Sequence, residues 1–184
     1  MTGRRDYNIA FVGLKPGVHE FHYEITDKFF EPFDQQDFEN CRADIKLFLD
    51  KKSSFMMLKF EVGGQIDIGC DRCNSLITLD LWDEFLITVK MVEEPELMNE
   101  QEEDPDVYYI SRGEGVLNVQ TWIYEFINLS IPMYKTCGFE NADGPNCNQD
   151  AIKRLRGLEA ENTPTNTSNP IWKELEKFRT SKKK

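Results

Sequence analysis

Cys70 and Cys73 form the motif in this chain that is most specific for one kind of chemistry. Two thiolates separated by two residues on a turn can present both sulfur atoms to one ion, as they do in zinc knuckles. The chain has five cysteines, and its N-terminal residues lack the apolar core of an export signal, so we expect reduced thiols rather than a disulfide framework. The spacing therefore predicts half of a metal site.

Cys137 and Cys147 supply a second pair, separated by a loop that is rich in turn-forming residues. Together with Cys70 and Cys73 they can close a tetrahedral four-cysteine site around one structural zinc ion. The nine residues between Cys137 and Cys147 exceed the usual ligand separation of about two to four. Unliganded reduced thiols and redox chemistry therefore stay open as alternatives to zinc.

Other patterns in the sequence argue against catalysis. A thiol oxidoreductase places its Cys-x-x-Cys motif between a strand and a helix, whereas residues 76–81 after this motif alternate like a strand. His19 and His22 are three apart on a predicted strand and point to opposite faces, so they cannot jointly bind one ion. The chain has no nucleophile elbow and no phosphate-binding glycine loop. We therefore predict no enzymatic activity, no catalytic residues and no small-molecule substrate.

The elements that position these cysteines begin with strands. Apolar and polar residues alternate over most of the first 110 residues, in the segments 7–11, 21–25, 42–49, 54–62, 65–70, 76–81, 84–91 and 107–110. Gly63 and Gly64 predict a tight hairpin between two of these segments, because glycine supplies the positive φ of such turns. The pattern predicts an α+β fold with a mainly antiparallel, curved or barrel-like sheet, a packed helix and short C-terminal helices.

The helical patterns lie in the second half of the chain. After Asn118, which can cap a helix, an apolar stripe at helical spacing predicts a helix over 119–131 that packs on the sheet through Trp122, Ile123, Phe126 and Ile127. A second helix is expected over 148–158. We expect one domain over 1–158, a polar linker over 159–169, and a short basic C-terminal helix or tail over 170–184.

Charge is distributed unevenly along the chain, which carries −11 in total. Residues 1–150 carry −16, including eight acids and no base over 93–106, a composition that predicts a mobile surface loop. Residues 151–184 carry +5. An acidic region does not bind RNA through general attraction to the phosphates. We therefore expect the basic residues of 151–184 to contact RNA or a partner. The candidate contact residues are Lys153, Arg154, Arg156, Lys182, Lys183 and Lys184.

No apolar run approaches the roughly 20 residues that a membrane-spanning helix requires. Together with the absence of an export signal, this predicts a cytoplasmic protein with no membrane partner.

Two blocks of the sequence resemble the bacterial YceD family, the large ribosomal RNA subunit accumulation proteins. The first block is IDIGCDRC at 66–73, and the second is WIYEFINLSIP at 122–132. In that family a strand ends in a Cys-x-Arg-Cys element, an acidic loop follows, and a helix bearing a glutamate precedes a cysteine-containing segment. The resemblance covers residues 7–158, and residues 169–175 resemble the C-terminal element of one branch.

The resemblance implies a bacterial, non-enzymatic factor that supports 23S ribosomal RNA accumulation during assembly of the large ribosomal subunit. Its partners would be the large-subunit precursor, ribosomal proteins or assembly factors, and 23S ribosomal RNA. Many relatives carry clustered cysteines after the proline, whereas here Cys137 and Cys147 are widely spaced. Two other functions remain open from the residues alone, namely a zinc-stabilised protein adaptor unrelated to the ribosome and a Cys-x-x-Cys thiol oxidoreductase.

Overall fold

The computed structural model describes residues 7–137 and 147–161. Contacts divide the chain into two compact units, Met1–Cys137 and Gly138–Lys184. The first unit contains β1 (Asn8–Ile9), β2 (Gly17–Thr26), β3 (Phe38–Lys51), β4 (Phe55–Gly69), β5 (Leu76–Val92), α1 (Pro95–Gln101), β6 (Val107–Ser111), β7 (Leu117–Asn118) and α2 (Gln120–Leu129), and the second contains α3 (Gln149–Glu161). The predicted α+β class is confirmed.

The main sheet has five strands in the order β2-β3-β4-β5-β6. Its first three pairings are antiparallel, whereas β6 runs parallel to β5. The prediction of a mainly antiparallel sheet is confirmed for three of the four pairings, although the sheet as a whole is mixed. The barrel-like alternative was wrong, because the sheet is open. A parallel neighbour needs a connection of about a dozen residues or more, which the 14 residues of 93–106 supply. The two shortest strands, β1 and β7, pair with each other in a separate ribbon.

Gly63 and Gly64 lie inside β4 and not in a hairpin turn, so this sequence prediction was also wrong. Fifteen residues of β4 pair with β5 in continuous register across the glycines. Gly64 does have a positive φ of 143°. A Cβ atom at Gly64 would collide with the backbone carbonyl of Arg42 and lie 2.6 Å from the Cα of Ala43. Close approach of β3, a tertiary contact, explains this glycine.

Helix α2 packs on the inner face of the sheet. Its Phe126 stacks on Phe85 with ring centroids 4.3 Å apart and meets the edge of Phe60 at 4.9 Å. Ile123, Phe126 and Ile127 are buried and Trp122 is partly buried against the same core. The predicted helix and its packing face are confirmed, and the Asn118 Oδ1 atom accepts a hydrogen bond from the Gln120 N–H at 3.0 Å.

The acidic segment contains helix α1, which its composition did not predict. The Asn99 side chain accepts the backbone N–H of Tyr109 at 2.8 Å and donates to its carbonyl at 2.9 Å. The Tyr109 hydroxyl donates to Glu102 at 2.6 Å, and this bond is the main reason that the pKa of Glu102 is lowered. These contacts attach the segment to β6. No helix in the described part of the chain is long and apolar enough to cross a membrane.

The second unit is described over 147–161. Helix α3 begins after Asn148, whose Oδ1 atom accepts the backbone N–H groups of Asp150 and Ala151, each at 3.2 Å. This confirms the second predicted helix. Residues 159–161, which we predicted to begin the linker, belong to α3 instead. The rest of the predicted linker, 162–169, and the predicted tail over 170–184 lie outside the described residues.

Candidate metal centre

The Cys-x-x-Cys motif occupies the turn between β4 and β5. Pairing of Gly69 with Leu76 brings the ends of the two strands together. The Cys70 N–H donates to the Ser75 carbonyl at 2.9 Å, and the Asn74 N–H donates to the Cys70 carbonyl at 2.8 Å. Asn74 has a φ of 55°, a left-handed conformation that asparagine tolerates better than most residues. This tight turn places both cysteines at one end of the sheet.

Asp71, between the two cysteines, binds the segment that follows α2. Its backbone N–H donates to the Lys135 carbonyl at 2.8 Å, and its Oδ2 atom accepts the Lys135 N–H at 2.7 Å. The Lys135 ammonium lies 3.2 Å from Oδ1 of the same carboxylate. The backbone hydrogen bond from Lys135 is the main reason that the pKa of Asp71 is lowered. These contacts fix the backbone two residues before Cys137.

Three cysteine sulfurs meet at this point. The ligand atoms of Cys70, Cys73 and Cys137 all lie within 4.8 Å of one another, and the Sγ atoms of Cys73 and Cys137 are 3.5 Å apart. A disulfide bond needs about 2.05 Å. Tetrahedral zinc with Zn–S bonds of about 2.3 Å places its sulfur ligands about 3.8 Å apart. The spacing of the three sulfurs therefore suits a shared zinc ion better than a disulfide.

Polar groups contact the sulfurs of Cys70 and Cys73. The Cys137 N–H donates to the Sγ atom of Cys70 at 3.3 Å, and the hydroxyl of Ser75 lies 3.4 Å from the Sγ atom of Cys73. Hydrogen bonds from N–H groups stabilise a charged sulfur. Cys70 and Cys73 are buried and Cys137 is partly buried, so the cluster is sheltered from bulk solvent. Donor type, spacing and shelter all fit structural zinc.

The remaining two cysteines differ in their surroundings. Cys147 is buried and belongs to the second unit, one residue before the cap of α3, and its role as a fourth ligand stays a prediction. Cys41 lies in the core of the first unit, where burial, and then the nearby Asp27 carboxylate, raise the pKa of its thiol to about 12. A thiol with that pKa stays protonated and unreactive near neutral pH.

The predicted contact residues lie on α3 where the structure describes them. Lys153, Arg154 and Arg156 are all exposed, and Ile152 is buried. Lys182, Lys183 and Lys184 lie outside the described residues. The two histidines serve other contacts, since His19 bonds to the Lys15 carbonyl at 2.7 Å and His22 lies 3.6 Å from Asp44.

Sequence reasoning missed the pairing of Asp71 with Lys135. A carboxylate inside the Cys-x-x-Cys motif and a lysine two residues before Cys137 were the available signals. Neither indicates the other without the fold, because the two residues are 64 positions apart.

Comparison with known proteins gives one family match. Residues 58–179 match the family model described as Large ribosomal RNA subunit accumulation protein YceD. The matched span includes all four predicted zinc ligands and the three basic residues of α3. No curated protein and no solved structure gives a significant match.

Proposed function

Because the chain belongs to the YceD family of large ribosomal RNA subunit accumulation proteins, we propose that it is a non-enzymatic assembly factor for the large ribosomal subunit. In this role it supports the accumulation or processing of 23S ribosomal RNA in the bacterial cytoplasm. The observation that carries the proposal is the family match, which spans about two thirds of the chain.

The metal centre has a structural role in this proposal. Cys70, Cys73 and Cys137 hold one zinc ion that ties the turn between β4 and β5 to the segment following α2. Cys147 is the fourth ligand, supported by its buried thiol and by its place in the same family segment. A zinc ion with four thiolate ligands has no open position for a substrate, which agrees with a role outside catalysis.

Charge determines how the factor contacts its target. Residues 7–137 include 25 acidic and 11 basic side chains, and this net negative charge repels a phosphate backbone. The region therefore contacts ribosomal proteins or other assembly factors. Contacts to the RNA of the large-subunit precursor fall to Lys153, Arg154 and Arg156 on α3 and to Lys182, Lys183 and Lys184. The exposure of the three α3 residues supports this assignment.

Sucrose-gradient sedimentation of lysate containing the tagged full chain tests the proposal. We expect the protein to migrate with large-subunit precursors. Neutralising Lys153, Arg154 and Arg156 to glutamine should weaken this association, whereas the matched variant of three exposed residues elsewhere, Lys15, Lys28 and Arg112, should not. Recovery of all the protein at the top of the gradient would contradict the proposal.

A further inference from the structure

Trp82 is the most conspicuous apolar side chain on the outer face of the sheet. Its indole is 79% exposed, although tryptophan is on average one of the most buried residue types. The side chains of Leu81 and Ile87 on the same strand are buried on the inner face. The position of Trp82 on β5 therefore directs a large aromatic surface away from the core.

A groove of about 440 Å³ lies beside this indole. Gly63 forms part of its floor and pairs in register with Trp82 on one side and Asp44 on the other. A Cβ atom at Gly63 would have no neighbour nearer than the Asp44 carbonyl oxygen at 4.0 Å, so packing does not require glycine there. The missing side chain instead leaves the space between Asp44 and Trp82 open.

The width of this space suits one planar group. Neighbouring strands lie about 4.8 Å apart, so the backbones of Asp44 and Trp82, two strand spacings apart, are separated by roughly 10 Å. An inserted planar side chain can contact the indole and reach the carboxylate at the same time.

Acidic groups dominate the surroundings of the groove. Asp44 and Glu61 line it, and Asp80 and Glu84 lie two residues either side of Trp82 on the same face of β5. The Lys59 ammonium is held between Glu61 at 2.8 Å and Glu84 at 3.1 Å. Lys46 also lines the groove, as does His22 near Asp44. Arg42 lies two residues from Asp44 on the same face of β3, so four carboxylates stand against three basic side chains. The balance is negative, which disfavours a phosphate and favours a cation.

We propose that this groove binds an arginine side chain from a basic segment of a partner protein. The guanidinium stacks on Trp82 and forms a salt bridge with Asp44. Arginine fits better than lysine because its flat, weakly hydrated cation stacks on an aromatic face and donates two parallel hydrogen bonds to a carboxylate. The inference rests on the proposed function and deepens it, because it assigns the acidic outer face to a basic protein and not to RNA.

Peptide binding to the full chain tests the assignment. The probe is a fluorescein-labelled ten-residue peptide of glycine and serine with three arginines, and its control carries three lysines instead. We expect tighter binding of the arginine peptide by fluorescence anisotropy. Trp82→Ala should weaken that binding about 3- to 30-fold, the range that contact of a cation with a tryptophan face supplies, and should abolish the preference over lysine.

Two further variants separate groove binding from general effects. Gly63→Thr places a side chain in the groove and should weaken binding of the arginine peptide. Leu129→Ala removes an apolar side chain that is 65% exposed on α2, away from the groove, and should leave binding unchanged. Because all three variants alter exposed or uncrowded positions, unfolding curves should confirm that each remains folded.

Several results would overturn the proposal. Equal binding of the arginine and lysine peptides, or unchanged binding by Trp82→Ala, would reduce the effect to general charge attraction. If the chain bound a single-stranded RNA decamer and Trp82→Ala abolished this binding, the indole would stack on nucleobases and not on a guanidinium. Tighter binding of the arginine peptide, with binding of the lysine peptide unchanged, after Lys182, Lys183 and Lys184 are changed to glutamine would mean that the chain's own tail competes for the groove. The assay contains no ribosome, so its outcome and that of the sedimentation experiment are independent.

Discussion

Asp71 and Lys135 join the turn that carries Cys70 and Cys73 to the segment that carries Cys137. The Asp71 N–H donates to the Lys135 carbonyl at 2.8 Å, and the Asp71 carboxylate accepts the Lys135 N–H at 2.7 Å. These two reciprocal hydrogen bonds hold together two segments that are distant in sequence, and they need no metal ion to do so. The third sulfur is therefore positioned by the protein itself.

The first prediction concerns the Asp71 carboxylate. Asp71→Ala removes the acceptor for the Lys135 N–H and should lower the free energy of unfolding at pH 7, whereas Asp71→Asn keeps an acceptor oxygen and should have a smaller effect. The pKa of Asp71 is lowered in the folded protein, so its stabilising contribution is present above the ordinary aspartate pKa of about 3.9 and is lost as the pH falls through the folded-state value. Urea unfolding should show the difference between wild type and Asp71→Ala shrinking below about pH 4. A difference that is constant with pH would contradict this role of the charge.

The second prediction concerns metal content. Full-length protein purified without chelator should contain close to one zinc per chain, and Cys70→Ser, Cys73→Ser and Cys137→Ser should each reduce the zinc content strongly. Cys41→Ser is the matched control, because Cys41 lies in the core and outside the cluster, and it should retain the metal. Elemental analysis measures the zinc content of the wild type and of each variant.

Cys147→Ser tests the fourth ligand separately. Loss of zinc would support Cys147 as a ligand, and full retention would assign the fourth position to another group. Wild-type protein without metal, together with unaffected folding of Cys70→Ser, would leave only buried thiols at this site. Rapid turnover of disulfides by the Cys70–Cys73 pair would instead favour the oxidoreductase interpretation.

The third prediction compares the two adjacent glycines of β4. Gly64→Ala should lower the free energy of unfolding by more than about 1 kcal/mol, because Gly64 has a positive φ and its Cβ atom would collide with the backbone of β3. Gly63→Ala has room and should be neutral or stabilising by up to about 1 kcal/mol. Urea unfolding of both variants measures the contrast. Equal effects would contradict the strand geometry.

The fourth prediction concerns the packing of α2. Phe126→Ala should cost about 3–5 kcal/mol of stability, since it removes the ring that contacts both Phe85 and Phe60 in the core. Trp122→Ala should cost less, because its indole is only partly buried. Phe126→Leu is the control that retains most of the apolar volume. An unchanged melting temperature for Phe126→Ala would refute packing of α2 on the sheet.

Local sequence patterns were sufficient to predict α2, α3 and most strands. The apolar stripe through Ile123, Phe126 and Ile127 and the alternation along β3 and β5 depend on periodicity alone, which predicts the buried face directly. The Cys-x-x-Cys turn was equally visible. These features depend on residues close in sequence.

The features that the sequence did not reveal depend on distant residues. Gly64 suggested a hairpin, but its positive φ serves close approach of β3 to a continuous strand. Helix α1 lies in an acidic segment, and the hydrogen bonds between Asn99 and Tyr109 that attach it form only when β6 is in place. The hydrogen bonds between Asp71 and Lys135, which hold the predicted ligand Cys137 near Cys70 and Cys73, likewise join residues that are distant in sequence. Composition and turn residues are read from neighbouring positions, whereas contacts between residues that are distant in sequence depend on the whole fold.

The ratio of 23S to 16S ribosomal RNA after depletion of the protein tests the proposed function most directly. We predict a lower ratio in depleted cells of the native host and full restoration by the wild-type chain expressed from a plasmid. Restoration by Cys41→Ser, but only partial restoration by Cys70→Ser, would connect the metal centre to the role. A normal ratio after complete depletion would contradict the assignment to large-subunit assembly.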